Sequence, residues 1–252
     1  RSFGRQEHRQ VAWSGQLVGN DTQFAEQPGH ANRFGWRHFG TLGEVKNVAD
    51  IYPLGPTQDG ILYHALSDPD PELYFEQVRC ELRGRFDMAR FQAAWDSVVE
   101  QHPALRTAFV WQGVKAPVQV VRETVVLPWD EFDWSDRPVA DIAPALDRLA
   151  QQNRARGFDL QRAPVSRFTI VRLDDERTHF IWDFHHILLD GWSATMVFDQ
   201  AIFRYNQSVT AGTDVGAAGP TTSGRPVRSY IEWLQAQDGD AARRYWTGLL
   251  AD

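Results

Sequence analysis

Cysteine is nearly absent: Cys80 stands alone among 252 residues, so no disulfide can close within the chain, and thiols can build neither a zinc cage nor a paired redox motif. A reducing, cytoplasmic setting is the expectation. No apolar run approaches the roughly 18 residues that a membrane span needs, and the first residues lack the basic-then-apolar order of an export signal. An excess of positive charge is missing too. The formal charge of −7 argues against a nucleic-acid surface, which needs a basic face. Nor is there a glycine-rich phosphate loop, a Gly-x-Ser-x-Gly elbow or an internal repeat. What the chain does have is 42% hydrophobic content and 10 tryptophans, enough to bury a substantial core in one large domain or two small ones.

Along the chain, residues 1–46 carry scattered glycine, arginine, glutamine and isolated aromatics without a sustained period, and read as a linker, a tag remnant or a docking segment. Order begins at residue 47. Pro56 suits the first turn of a helix that holds Ile61, Leu62 and Leu66. Val78, Cys80 and Leu82 alternate with polar neighbours in a half-buried strand over 74–82. Asp87 is a candidate N-cap for a helix over 88–101, with Met88, Phe91, Trp95, Val98 and Val99 on its apolar face. Strands are expected over 105–110 and within 118–128, then a helix over 140–155 closed by Gly157. Two strands, 166–173 and 178–184, flank a turn at 174–177 as a hairpin, and a helix follows over 194–205. Residues 207–228 look like a connector, and 229–252 like two helices with apolar faces in need of another layer. Irregular alternation with hairpins points to an α+β fold.

The densest chemistry lies in His185-His186-Ile187-Leu188-Leu189-Asp190-Gly191-Trp192-Ser193, between an apolar strand and an amphipathic helix. A histidine there can take a proton from an amine or hydroxyl, or hold that nucleophile in line. In β geometry His185 points to the opposite face from His186, which suits it to packing or shaping the turn. Asp190 could orient the imidazole, pair with an arginine or cap the next helix, and Gly191 permits a backbone conformation closed to other residues. Adjacent histidines on a strand diverge and no third ligand has a fitting spacing, which argues against a metal site. Ser193 follows too closely to face His186 as a hydrolase nucleophile. Pattern alone leaves catalysis and a tidy strand end equally open.

The stretch resembles the HHxxxDG motif of nonribosomal peptide synthetase condensation domains, which belong to the chloramphenicol acetyltransferase-like superfamily. Three further blocks agree in order. Tyr52-Pro53-Leu54-Gly55-Pro56-Thr57-Gln58-Asp59-Gly60-Ile61-Leu62-Tyr63-His64 is similar to the family's opening block. Gln101-His102-Pro103-Ala104-Leu105-Arg106-Thr107-Ala108-Phe109 is similar to RHxxLRTxF, with Gln101 in place of its first arginine. Ser229-Tyr230-Ile231-Glu232-Trp233-Leu234 resembles the tyrosine-tryptophan block that opens the second lobe.

The resemblance implies an amide-forming acyltransferase of secondary-metabolite synthesis. Its donor and acceptor ride on phosphopantetheine arms of carrier proteins, neighbouring synthetase domains are its partners, and no cofactor or metal is bound. It further implies that His186 is catalytic with His185 beside it, that Asp190 pairs with Arg106, that Gly191 shapes the turn, and that Trp192 and Ser193 lie toward the substrate tunnel. On this reading 47–206 form the N-terminal lobe of a two-lobed domain, a mixed sheet with flanking helices. Residues 229–252 then begin the C-terminal lobe, and the rest of that wall is missing. Two rival readings are a non-catalytic carrier-docking or scaffolding fragment and a free-standing acyltransferase using coenzyme A.

Overall fold

Strand alternation in the hairpin before the histidines organises the architecture. In the computed structural model residues 17–18, 46–68, 70–211 and 226–251 are described. The remainder of the expected leading segment and most of the expected connector lie outside the described residues. In chain order the elements are β1 (Leu17–Val18), β2 (Asp50–Pro53), α1 (Pro56–Ser67), β3 (Phe75–Arg83), α2 (Met88–Gln101), a 3₁₀ turn (Pro103–Arg106), β4 (Thr107–Val110), β5 (Val118–Val121), β6 (Trp129–Asp133), α3 (Val139–Arg156), β7 (Ser166–Arg172), β8 (Arg177–His185), α4 (Gly191–Ala211), α5 (Val227–Gln235) and α6 (Gly239–Leu249).

The larger sheet runs β1-β3-β8-β7-β6, and a smaller one runs β2-β5-β4. β7 and β8 pair antiparallel as the expected hairpin, β3 flanks β8 antiparallel, and β6 joins β7 parallel through the α3 crossover. The sheet is therefore mixed and the fold α+β. On one face, Phe168, Phe180, Trp182 and Phe184 meet Phe91 and Trp95 of α2 and Phe198 of α4 in a single aromatic core. On the other face α3 lays Ile142 and Leu146 on Val171 and Leu173.

Local chemistry sets the helix ends. The side chain of Asp87 accepts from the Arg90 amide, capping α2 as expected. α4 is longer than the expected 194–205 at both ends. Asp190 caps it from before Gly191, and Ala201, Tyr205 and Ser208 keep its buried stripe going. The expected strand at 105–110 divides, because Pro103 initiates a 3₁₀ turn that Thr107 Oγ1 closes on the Pro103 carbonyl at 2.9 Å. Only Val118–Val121 of the 118–128 stretch is strand, and the unforeseen β6 follows it.

Gly157 ends α3 at φ 55, where a Cβ would also meet Pro71 Cβ at 2.9 Å. Glycine is required there on both counts. α5 docks on the smaller sheet, with Ile231 against Tyr52 and Val121 and with Arg228 ion-paired to Asp50. Tyr230 and Trp233, the aromatics of its block, point outward, and so do Tyr245 and Trp246 of α6.

Candidate active site

β8 delivers two histidines to different surroundings. His185 ends the strand opposite Phe75 and is buried. Its Nδ1 accepts from the Ile187 amide at 3.2 Å. A backbone N–H can only donate, so His185 carries its proton on Nε2. Burial, and secondarily the neighbouring His186, push its pKa down to about 4. The resemblance sets His185 beside His186 in the catalytic pair; here it is a buried ring whose Nδ1 is engaged by the Ile187 amide of the turn, the packing position that strand alternation gives it.

His186 lies one residue beyond the strand and is half-buried. Its Nδ1 sits 2.7 Å from the Leu189 carbonyl. A carbonyl can only accept, so the proton of the neutral ring is on Nδ1 and Nε2 keeps a lone pair. Its amide donates to the Tyr74 carbonyl at 2.8 Å, tying it to the end of β3. The turn is also held from below. Gln58 of α1 donates from Nε2 to the Ile187 carbonyl at 3.1 Å and to Gln119 Oε1 at 3.1 Å, while its own Oε1 accepts from the Gly55 amide at 3.0 Å. The opening block and the histidine block are thus hydrogen-bonded to one another.

Asp190 accepts from the Ser193 amide at 2.7 Å. Those hydrogen bonds to Ser193, ahead of the nearby His186, hold its carboxyl below the usual range. It is the N-cap of α4. The expected pairing with Arg106 does not form. Arg106 instead donates to the carbonyls of Val99 (3.1 Å), Glu100 (3.2 Å), Glu123 (2.9 Å) and Arg122. Its charge satisfies the open carbonyl end of α2 and fastens it to the end of β5, which is where a cation is most useful on a helix.

Gly191 needs correcting as well. Its φ is not in the left-handed region, and a Cβ built there would meet no atom within 4 Å. What glycine leaves is open space at the start of α4. Trp192 is 84% exposed beside it and Ser193 is half-buried. Gln101, the departure from the RHxxLRTxF block, has a local cause, since Arg204 of α4 donates to its Oε1. A second arginine there would face the first.

Four residues around His186 had no assigned role in the sequence: Gln58, His64, Tyr74 and Glu76. Glu76 lies opposite Phe184 on β3 and shares the face of His186. Burial raises its pKa, and the charges of His186 and Arg154 partly offset this. Period-two alternation from Val78 back to Glu76 was the available signal. Among the described residues no group of three His, Cys, Asp or Glu side chains could hold a metal ion, and no helix is long and apolar enough to cross a membrane.

Residues 48–252 match the family model described as the condensation domain. A linear gramicidin synthase of Brevibacillus parabrevis is 36% identical over 209 residues, covering 83% of this chain and 4% of that protein. A plipastatin synthase of Bacillus subtilis is 33% identical over 205 residues, covering 81% and 8%. Among solved structures, the starter condensation domain of rhizomide synthetase aligns with a TM-score of 0.68 at 18% identity, covering 81% of this chain and 50% of that one. The first condensation domain of the calcium-dependent antibiotic synthetase aligns at 0.64 and 22%, covering 82% and 50%. The chain thus spans a few per cent of the synthetases it matches and about half of the solved condensation domains. On the family match and the four ordered blocks together, this chain belongs to the condensation-domain family.

Proposed function

We propose that this chain carries the histidine half of an amide-forming site that joins a donor acyl or peptidyl thioester to an acceptor amine. The observation that carries the reading is the fixed tautomer of His186: with Nδ1–H spent on the Leu189 carbonyl, Nε2 is the base. As the amine nitrogen attacks the thioester carbon, Nε2 takes the proton that the nitrogen must lose. The C–N bond forms, the C–S bond breaks, and the proton passes on to the departing thiolate. The imidazolium formed in between sits in the field of two carboxylates, Glu76 and Asp190. Open space at Gly191 lets a reacting carbonyl approach the Gly191 amide at the start of α4, where the helix dipole favours developing negative charge. Holding both reactants in line supplies much of the acceleration, and nothing in the step calls for a resident cofactor or metal.

Both reactants are taken to be tethered by phosphopantetheine to carrier proteins, with neighbouring synthetase domains as partners in the cytoplasm. His185, Trp192 and Ser193 serve this reading as turn support and as the rim of the substrate path. The experiment is amide formation by the native polypeptide with carrier-loaded donor and acceptor, set beside an arm supplied with acyl coenzyme A. Product from the carrier arm that is lost in His186→Ala supports the reading. No product with His186 intact means a docking or scaffolding role, and product from the coenzyme A arm alone means a free-standing acyltransferase.

A further inference from the structure

We propose that Tyr74 is a positioning residue for His186, held in a left-handed conformation by His64 so that its carbonyl anchors the histidine turn. Tyr74 has φ 59, a region that crowds Cβ against the carbonyl and that bulky residues avoid unless their surroundings impose it. Strain of this kind collects at functional sites, where packing over-determines it. Here the imposing contacts can be named. The Tyr74 hydroxyl lies 2.8 Å from Nδ1 of His64 on α1, and the two rings meet edge to edge with nearly parallel planes and centroids 6.3 Å apart. Its other side faces His185, centroids 6.0 Å apart and tilted. The turn leading into Tyr74 is closed by the Leu73 amide on the Asp70 carbonyl at 3.1 Å and the Phe75 amide on the Glu72 carbonyl at 3.1 Å. Pro71 of that turn abuts Gly157, the one kind of residue that leaves it room.

The result of this arrangement is one bond. The Tyr74 carbonyl accepts the His186 amide at 2.8 Å, one residue past the last β3–β8 partners, Phe75 and His185. A regular extended Tyr74 would send its carbonyl elsewhere and release the start of the turn. His64, the last residue of the opening block, therefore reaches the catalytic candidate through Tyr74 rather than through substrate.

The proposal rests on the assignment of His186 as the base, so its test needs a readout independent of turnover. Backbone amide exchange in the native polypeptide provides one, read at His186 and Leu188 with Ile170 and Ile181 as internal references. In Tyr74→Phe and in His64→Leu the His186 amide should exchange about five- to tenfold faster, the equilibrium worth of one typical hydrogen bond, with the reference amides unmoved. His64→Gln, whose Oε1 can accept the tyrosine hydroxyl, should restore protection. If amide formation is measurable, kcat should fall by a similar factor in the first two variants with KM unchanged. Unaltered exchange at His186, equal acceleration at Ile170 and Ile181, or failure of His64→Gln to restore protection would overturn the proposal. Should His186→Ala leave amide formation intact while exchange behaves as described, the catalytic assignment fails and the anchoring role stands.

Discussion

The two faces of the larger sheet come from the same strands yet are built by opposite means. Toward α2 and α4, Phe168, Phe180, Trp182 and Phe184 pack rings on rings, and the indole N–H of Trp182 is spent on Ser166 Oγ at 2.8 Å. Toward α3, the odd-numbered positions of β8 carry His179, Asp183 and His185, all buried or nearly so. Asp183 accepts from Gln77 at 2.8 Å and lies 3.5 Å from Arg167, whose guanidinium also donates to the Asn153 carbonyl at 2.7 Å. The ion contact is incomplete, since Arg167 Nε and Asp183 Oδ2 make no hydrogen bond of their own. Burial, partly offset by Gln77 and Arg167, pushes the Asp183 carboxyl up to about 6, and burial pushes His179 down to about 4.

This asymmetry decides the fate of the two histidines. His185 is the last residue of the α3 face and shares its character, buried and neutral, whereas His186 emerges from the aromatic face at the open start of α4. Dry packing around Phe184 and Ile187 gives the imidazole proposed as the base a rigid platform. A one-residue slip of β8 would exchange the two roles.

Substitutions on either face separate the two, beginning with the histidines themselves. His186→Ala should lower amide formation by about 10²–10⁴-fold, the range for loss of a positioned acid–base group, while His185→Asn, which can keep an acceptor for the Ile187 amide, should retain most of it; steady-state rates on loaded carriers decide this. Next in size are two stability losses of like magnitude and unlike cause. Phe180→Ala opens a cavity among rings and should cost about 3–5 kcal/mol. Arg167→Leu strands the Asp183 carboxylate and should also cost about 3–5 kcal/mol. Denaturant unfolding separates them by pH, because only the second loss should shrink when Asp183 protonates.

The pH dependence of stability distinguishes the faces more finely. His179 and His185 have folded pKa values of about 4, below the ordinary 6.5, so the unfolded chain binds more protons and stability falls as pH drops from 6.5 toward 4, by about 3 kcal/mol for each. Asp183, raised to about 6, acts in the reverse sense: its ionisation costs stability as pH rises from 3.8 through 6. Two histidines outweigh one aspartate, so net stability should decline on acidification. Asp183→Asn should steepen that decline and His179→Phe should flatten it, read from unfolding curves taken across that window. Smallest is Asp190→Ala, which removes the cap of α4 and should cost about 0.5–2 kcal/mol. It should leave a denaturation midpoint only slightly lowered and loosen the first turn of α4.

Much of this was legible in the sequence because it is local. Period-two alternation placed His185 and His186 on opposite faces, Asp87 and Gly157 marked helix ends, and Phe91, Trp95, Val98 and Val99 named the buried face of α2. What escaped depends on partners far along the chain. Arg106 is charged and follows an apolar residue, so its spacing could not reveal that backbone carbonyls at Arg122 and Glu123 would claim it. Nothing local marks Tyr74 for a left-handed φ, which tertiary contacts with His64 and His185 impose. β6 is short and pairs parallel with β7 across α3, a register no run of five residues discloses. Asp183 drew no reading from the sequence, and its meaning appears only once Gln77 and Arg167 arrive from two other strands.

Neighbouring histidines held in opposite tautomers, one supporting the turn and the other proposed as the base, can be observed by long-range nitrogen–proton correlation NMR of the imidazoles near neutral pH. The predicted result is a proton on Nε2 of His185 and on Nδ1 of His186, leaving Nε2 of His186 as the base. A proton on Nε2 of neutral His186 would contradict it.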